Sequence, residues 1–222
     1  MDSSLGSGRD NTVRLTRRDA FVAGAGAAVS ALWPIHAVAA DGSATATPRV
    51  ATAPGHVDGG VYQFAYVVEN LDTAAAYWLA RSAGPFFALR DVAFPVVHVP
   101  HAAPSPVISI LLGYSGDTLL ELIEVEHDPQ GLFATPGLPG PHHVARLTPD
   151  IDGAIAAEAA LGRRCVFHAG MELDAAVAFI DTRQDIGVLT ELVSHTDTVA
   201  DMLAVMYGAA LEFDGTDPVR TF

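Results

Sequence analysis

The chain has 222 residues, half of them apolar, enough to bury one substantial core. Twelve basic residues face 26 acidic ones for a net charge of -14, a balance that repels nucleic acid and other polyanions from the surface as a whole. No lysine occurs anywhere, which excludes Schiff-base catalysis, a lysine-anchored pyridoxal phosphate and a Walker-type loop; Cys165 is the only cysteine, so there is neither an intramolecular disulfide nor a CxxC cluster.

Residues 14–41 read RLTRRDAFVAGAGAAVSALWPIHAVAAD: paired Arg17 and Arg18, an apolar stretch over 20–32, then Ala37-Val38-Ala39 before Ala40. This is the layout of a signal peptide with a small-residue cleavage site. The apolar stretch is short and rich in Ala and Gly, which argues against a permanent membrane anchor. The segment resembles a twin-arginine signal, with Phe21 one position later than that pattern has it, and the resemblance implies export to the periplasm or beyond in the folded state. Residues 1–40 are thus expected to be a removable signal, leaving no membrane attachment. Residues 41–60 carry many Gly, Pro, Ser and Thr with no apolar period, as a flexible leader does.

From Val61, VYQFAYVV is a β-branched and aromatic run suited to a strand, and ENLDTAAAYWLARSAG reads as a helix with Asn70 as N-cap and Gly84 as stop. PFFALRDVAF, PVVHVP, PVISILLGYSG and DTLLELIEVEH follow as three or four antiparallel strands separated by Pro, Gly and Asp. The pattern then restarts. HHVARLTP is a strand, DIDGAIAAEAALG a capped, Ala-rich helix, and RRCVFHAG, AAVAFIDTR and GVLTELVSH supply three more strands. Aligning QFAYVVENLDTA with HVARLTPDIDGA sets Gln63 over His143 and Asp72 over Asp152, both 80 residues apart, the mark of an internal duplication. The fold class expected is α+β: one domain over 61–197, with module one at 61–127 and module two at 142–195, packed around a shared cup. Residues 198–213 read as an amphipathic closing helix, and DGTDPVRTF as a polar tail to 222.

In a strand, residues two apart share a face. Gln63 then shares its face with Val61, Ala65 and Val67; Glu121 with Leu119, Ile123 and Val125; His143 with Ala145 and Leu147; Glu191 with Leu189 and Val193. Each is a polar residue on an apolar stripe. A buried carboxylate there requires a partner, a raised pKa or a metal, and a divalent cation ringed by two carboxylates, an imidazole and an amide oxygen satisfies all four together. The plain alternative for Gln63 is an amide bonded to a neighbouring strand. Strand alternation sends His142 to the opposite face from His143, to the surface or behind the metal ligands. Arg90 and Arg146 are weighed as anchors for a substrate carboxylate, with simple solvation the stronger reading.

QFAYVVENLD, HHVARLTPDID, LLELIEV and LTELVSH resemble the vicinal-oxygen-chelate superfamily, which includes glyoxalase I, methylmalonyl-CoA epimerase and bleomycin-resistance proteins. The resemblance covers residues 61–195 and implies paired βαβββ modules forming a cup-shaped mixed sheet. It implies a metal held by Gln63, Glu121, His143 and Glu191, a divalent ion such as Zn, Ni, Co, Mn, Mg or Fe. It further implies an isomerase, epimerase or lyase that acts on a small-molecule substrate with two adjacent oxygens, through an enediolate-like intermediate. Glu191 is then the first candidate for the proton-moving base and Glu121 the second. The alternative from the same resemblance is a non-catalytic sequestering protein of the bleomycin-resistance type. Cups in this superfamily form within one chain or between two, so a homodimer is compatible.

Overall fold

The structure, a computed structural model, describes residues 59–94, 96–99, 104–171 and 175–222; the export signal and nearly all of the leader lie outside the described residues. The first repeat runs β1 (Val61–Val67), α1 (Leu71–Leu79), β2 (Phe86–Ala93), β3 (Val96–Val99), β4 (Val107–Ser115) and β5 (Thr118–His127). The second runs β6 (Gly140–Thr148), α2 (Ile151–Ala160), β7 (Cys165–Gly170), β8 (Ala176–Ile180), a four-residue helical turn α3 (Arg183–Ile186) and β9 (Leu189–Ser194). A 15-residue helix α4 (Asp197–Leu211) and a short strand β10 (Val219–Thr221) close the chain.

Helix starts follow the duplication. Asn70 accepts a hydrogen bond from Thr73 N at 2.9 Å and Asp150 accepts one from Gly153 N at 2.9 Å, so both repeats cap their helix with a side-chain oxygen at the same place. Replacing either cap by alanine is expected to lower stability by about 1 kcal/mol, read as a shift in the urea midpoint with an unchanged slope.

The ten strands of the described residues join one sheet in the order β10-β2-β4-β5-β1-β6-β9-β8-β7-β3. Within each repeat the first strand lies parallel to the last, β1 with β5 and β6 with β9, and β1 meets β6 antiparallel at the seam. The two halves therefore relate by an approximate two-fold axis between β1 and β6, and the class is α+β with paired βαβββ modules.

Two edges differ from the reading of the sequence. β3 leaves its own module and pairs antiparallel with β7, at the far end of the sheet. Only Phe94 and Pro95 separate it from β2, so the sheet curls until its two ends meet at one rim. In the sequence β3 has a proline on either side, a residue with no N–H to give to a ladder. The polar tail also takes a regular form: residues 219–221 pair in parallel with 86–88 and cover the other edge.

Helices α1 and α2 pack on the convex face, α1 through Leu71 and Ala75 against Leu111, Leu120 and Leu122, and α2 through Ile151 and Ile155 against Ala178, Ile180 and Leu192. The concave face carries the larger core. There α4 lays Val199, Leu203, Met206 and Tyr207, at helical spacing, beside the apolar side chains of β4. The Tyr207 hydroxyl donates to Asp117 Oδ1 at 2.8 Å, tying the helix to the β4–β5 turn. No described helix is long and apolar enough to cross a membrane.

Candidate metal centre

Gln63, Glu121, His143 and Glu191 all come to the concave face at the seam, 4%, 8%, 2% and 8% exposed. Strand register explains the meeting. Ala65 lies opposite both Glu121 and His143, and Ala145 lies opposite both Gln63 and Glu191. A methyl group at each of these two positions leaves the space over the seam that four longer side chains fill.

The His143 Nε2 atom is the hub. It lies 3.0 Å from Glu121 Oε2, 3.2 Å from Glu191 Oε2 and 3.3 Å from Gln63 Nε2. Gln63 Nε2 also donates to Glu121 Oε2 at 2.7 Å, so the amide serves the cross-strand role weighed for it and faces the centre as well. Ligand atoms of Glu121, His143 and Glu191 all fall within 4.8 Å of one another.

Electrostatics follow from this packing. Burial alone would lower the His143 pKa, but the fields of Glu191 and Glu121 and its hydrogen bonds to both hold it up at about 9. Burial raises the Glu191 carboxyl above the usual carboxylate range, against the opposing pull of His143. With His143 protonated, the two carboxyl groups are held together around an imidazolium.

This donor set fits a divalent cation. Two carboxylates buried in an apolar face cannot lie this close without positive charge between them, and a cation can take the place of the His143 Nε2 proton. For Gln63 to ligate, its amide turns half a revolution about its last bond and presents Oε1, an exchange of two atoms of nearly equal size.

Two further residues sit at the centre that strict alternation misplaces. The β1–β6 ladder carries two bulges, with Tyr62 as the extra residue between Val61 and Gln63 on one strand and His142 between Pro141 and His143 on the other. A bulge lets neighbouring side chains point to one face. Tyr62 and His142 are accordingly buried beside Gln63 and His143, and of the two positions expected for His142, at the surface or behind the metal ligands, it takes the second, with its Nδ1 2.8 Å from His143 Nδ1. Burial, then the fields of Glu191 and Glu121, push the Tyr62 phenol well above its ordinary value. Burial and the neighbouring His143 push His142 down to about 3. The signal was present in the aligned doublets, Tyr62-Gln63 over His142-His143, also 80 apart.

The arginines weighed as substrate anchors lie elsewhere. Arg146 Nη1 meets Glu158 Oε1 of α2 at 3.4 Å, so it braces the helix side, and Arg90 is exposed. A pocket walled by Leu132, Phe167, Arg183 and Leu189 opens on the second module, its lining reaching Leu189 two residues before Glu191 on the same face. Arg183 is paired there with Asp181 through two hydrogen bonds of 2.8 and 2.7 Å.

No protein-family model matches the chain, and a comparison with curated proteins finds no match. Among solved structures, a hypothetical protein from Bacillus halodurans C-125 is similar at 19% identity and a TM-score of 0.45, over 62% of this chain and 94% of that one. Methylmalonyl-CoA epimerase from Mycobacterium tuberculosis is similar at 17% identity and a TM-score of 0.44, over 64% and 91%. The Streptomyces coelicolor epimerase in complex with 2-nitronate-propionyl-CoA gives 20% and 0.43, over 62% and 94%.

Proposed function

We propose that this protein is a metal-dependent enzyme of the vicinal-oxygen-chelate type, an isomerase, epimerase or lyase acting on a small oxygenated substrate outside the cytoplasm. The observation that carries the reading is the convergence of Glu121, His143 and Glu191, from strands of both modules, on one buried space with Gln63 at its side. A divalent cation bound there supplies Lewis acidity, which polarises two adjacent substrate oxygens and stabilises the charge that develops when the neighbouring C–H gives up its proton.

The chain's own groups divide the remaining work. Glu121 is gripped by Gln63 and His143 and serves to hold the centre. Glu191, which meets His143 Nε2 at 3.2 Å, takes the substrate proton and returns it. Burial and the fields of Glu191 and Glu121 keep the Tyr62 phenol protonated. Aromatic side chains of Phe133, Phe167 and Phe179 line the same core and keep bulk water from the reacting proton.

The test is metal content with paired variants. Purified protein is expected to hold close to one equivalent of a divalent metal. Glu121→Gln is expected to lose most of it, while Glu191→Gln keeps more metal than Glu121→Gln and loses proton exchange at the carbon next to a bound carbonyl. A wild-type protein that excludes metal yet binds an aromatic or glycopeptide ligand would establish the sequestering alternative instead.

A further inference from the structure

The bulge in β6 turns the His142 ring inward, where both of its nitrogens are engaged. Nε2 lies 2.9 Å from the Leu132 carbonyl oxygen and Nδ1 lies 2.8 Å from His143 Nδ1. The ring stacks on Phe133 at 4.8 Å between centroids and meets the edge of Phe179 at 5.6 Å. Its plane and position are therefore set on several sides.

Hydrogen-bond chemistry assigns the protons. A carbonyl oxygen only accepts, so His142 Nε2 carries a hydrogen. One proton must then lie between the two Nδ1 atoms. His143 contacts two carboxylates through its other nitrogen, whereas His142 meets a carbonyl and His143, so positive charge belongs on His143. The shared proton accordingly sits on His143 Nδ1, and His142 Nδ1 accepts it with its lone pair.

We propose that His142 is the positioning residue of the centre: it locks His143 as an Nδ1–H donor, so that Nε2 is the nitrogen offered toward Glu121, Glu191 and Gln63. The relay begins at a surface turn. Asp128 accepts hydrogen bonds from Leu132 N at 2.9 Å and Phe133 N at 2.8 Å, which fixes the carbonyl that orients His142. The turn passes through Gly131 at φ 67°, a conformation that suits glycine. A chain of contacts thus runs from Asp128 through Leu132 and His142 to His143, and the same turn lines the pocket beside the centre. Second-row partners of this kind set which histidine nitrogen binds and how basic it is.

The inference rests on the metal reading for its consequence but not for its geometry, and the test separates the two. In the metal-free full chain, nitrogen-15 NMR at neutral pH is expected to show His142 neutral with its hydrogen on Nε2, and His143 protonated at Nδ1. Zinc titration is expected to give a dissociation constant about 10- to 100-fold weaker in His142→Phe, which keeps the stack but has no nitrogen. His142→Asn, whose amide oxygen can stand where Nδ1 stands, is expected to recover much of that loss. Wild type that shows the NMR pattern but takes up no zinc supports the relay and sinks the metal reading. A hydrogen on His142 Nδ1, or zinc affinity unchanged in His142→Phe, overturns the relay itself.

Discussion

Replacing His143 by alanine is expected to abolish metal retention and to destabilise the metal-free protein by about 3–5 kcal/mol at neutral pH. The imidazole is the group that both buried carboxylates share, at 3.0 and 3.2 Å from one nitrogen. Removing it leaves Glu121 and Glu191 facing each other across an apolar space. Gln63 offers an amide there but no charge. The void left by the ring adds its own cost, since Phe179, His142 and Ala65 are held by strand pairing and cannot close over it fully.

Two effects contribute to that loss, and pH separates them. Protonating the carboxylates relieves the repulsion, so the gap between wild type and His143→Ala should shrink as pH is lowered toward 4, while the part due to the void persists. Urea unfolding at pH 7 and at pH 4.5, compared between the two proteins, reads both parts. A penalty below 1 kcal/mol at pH 7 would falsify the view that this imidazole neutralises the centre.

The arrangement was readable in the sequence to the extent that periodicity carries it. Gln63, Glu121, His143 and Glu191 stood out because each interrupts an apolar stripe of period two, and the spacing of 80 between the repeats tied the first and third of them together. The N-caps Asn70 and Asp150 follow the same spacing, and both helices begin where those residues place them. Closing helix α4 begins one residue before the expected 198.

What stayed illegible depends on contacts distant in sequence. The bulges at Tyr62 and His142 break the period of two and are properties of the β1–β6 pairing, so neither strand read alone reveals them. β3 finds its partner only because the sheet curls, and its four residues carry no preference for one edge over another. The pairing of residues 219–221 with β2 is similar: VRT has strand propensity, but a polar setting hides it until an open edge is supplied. α3 is too short to show a helical period, and the partner of Arg146, Glu158 of α2, comes from a strand-to-helix contact that no local pattern marks.

Acid–base behaviour supplies the second large effect: the metal-free protein is expected to lose stability as pH rises from about 6.5 through about 9, by on the order of 3 kcal/mol. The sign follows from His143. Its folded value of about 9 lies above the ordinary 6.5, so the folded state binds the proton more tightly. That contribution is complete below 6.5 and is lost as pH passes through 9. Glu191 acts in the same direction, because its folded value is also raised. The exposed carboxylates of Asp185 and Asp214, held below their ordinary values by Arg163 and Thr216, affect only the acid limb. With zinc present the trend reverses. The cation takes the position of the His143 Nε2 proton, so binding near pH 7.5 should release about one proton and affinity should climb across the same window. Metal-bound protein then gains stability by mass action where the metal-free form is weakening. Calorimetric zinc titrations in two buffers of different ionisation heat count the released proton, and thermal scans from pH 6 to 9.5 with and without zinc trace the crossing. Parallel curves with no proton release would place the metal, if any, away from His143.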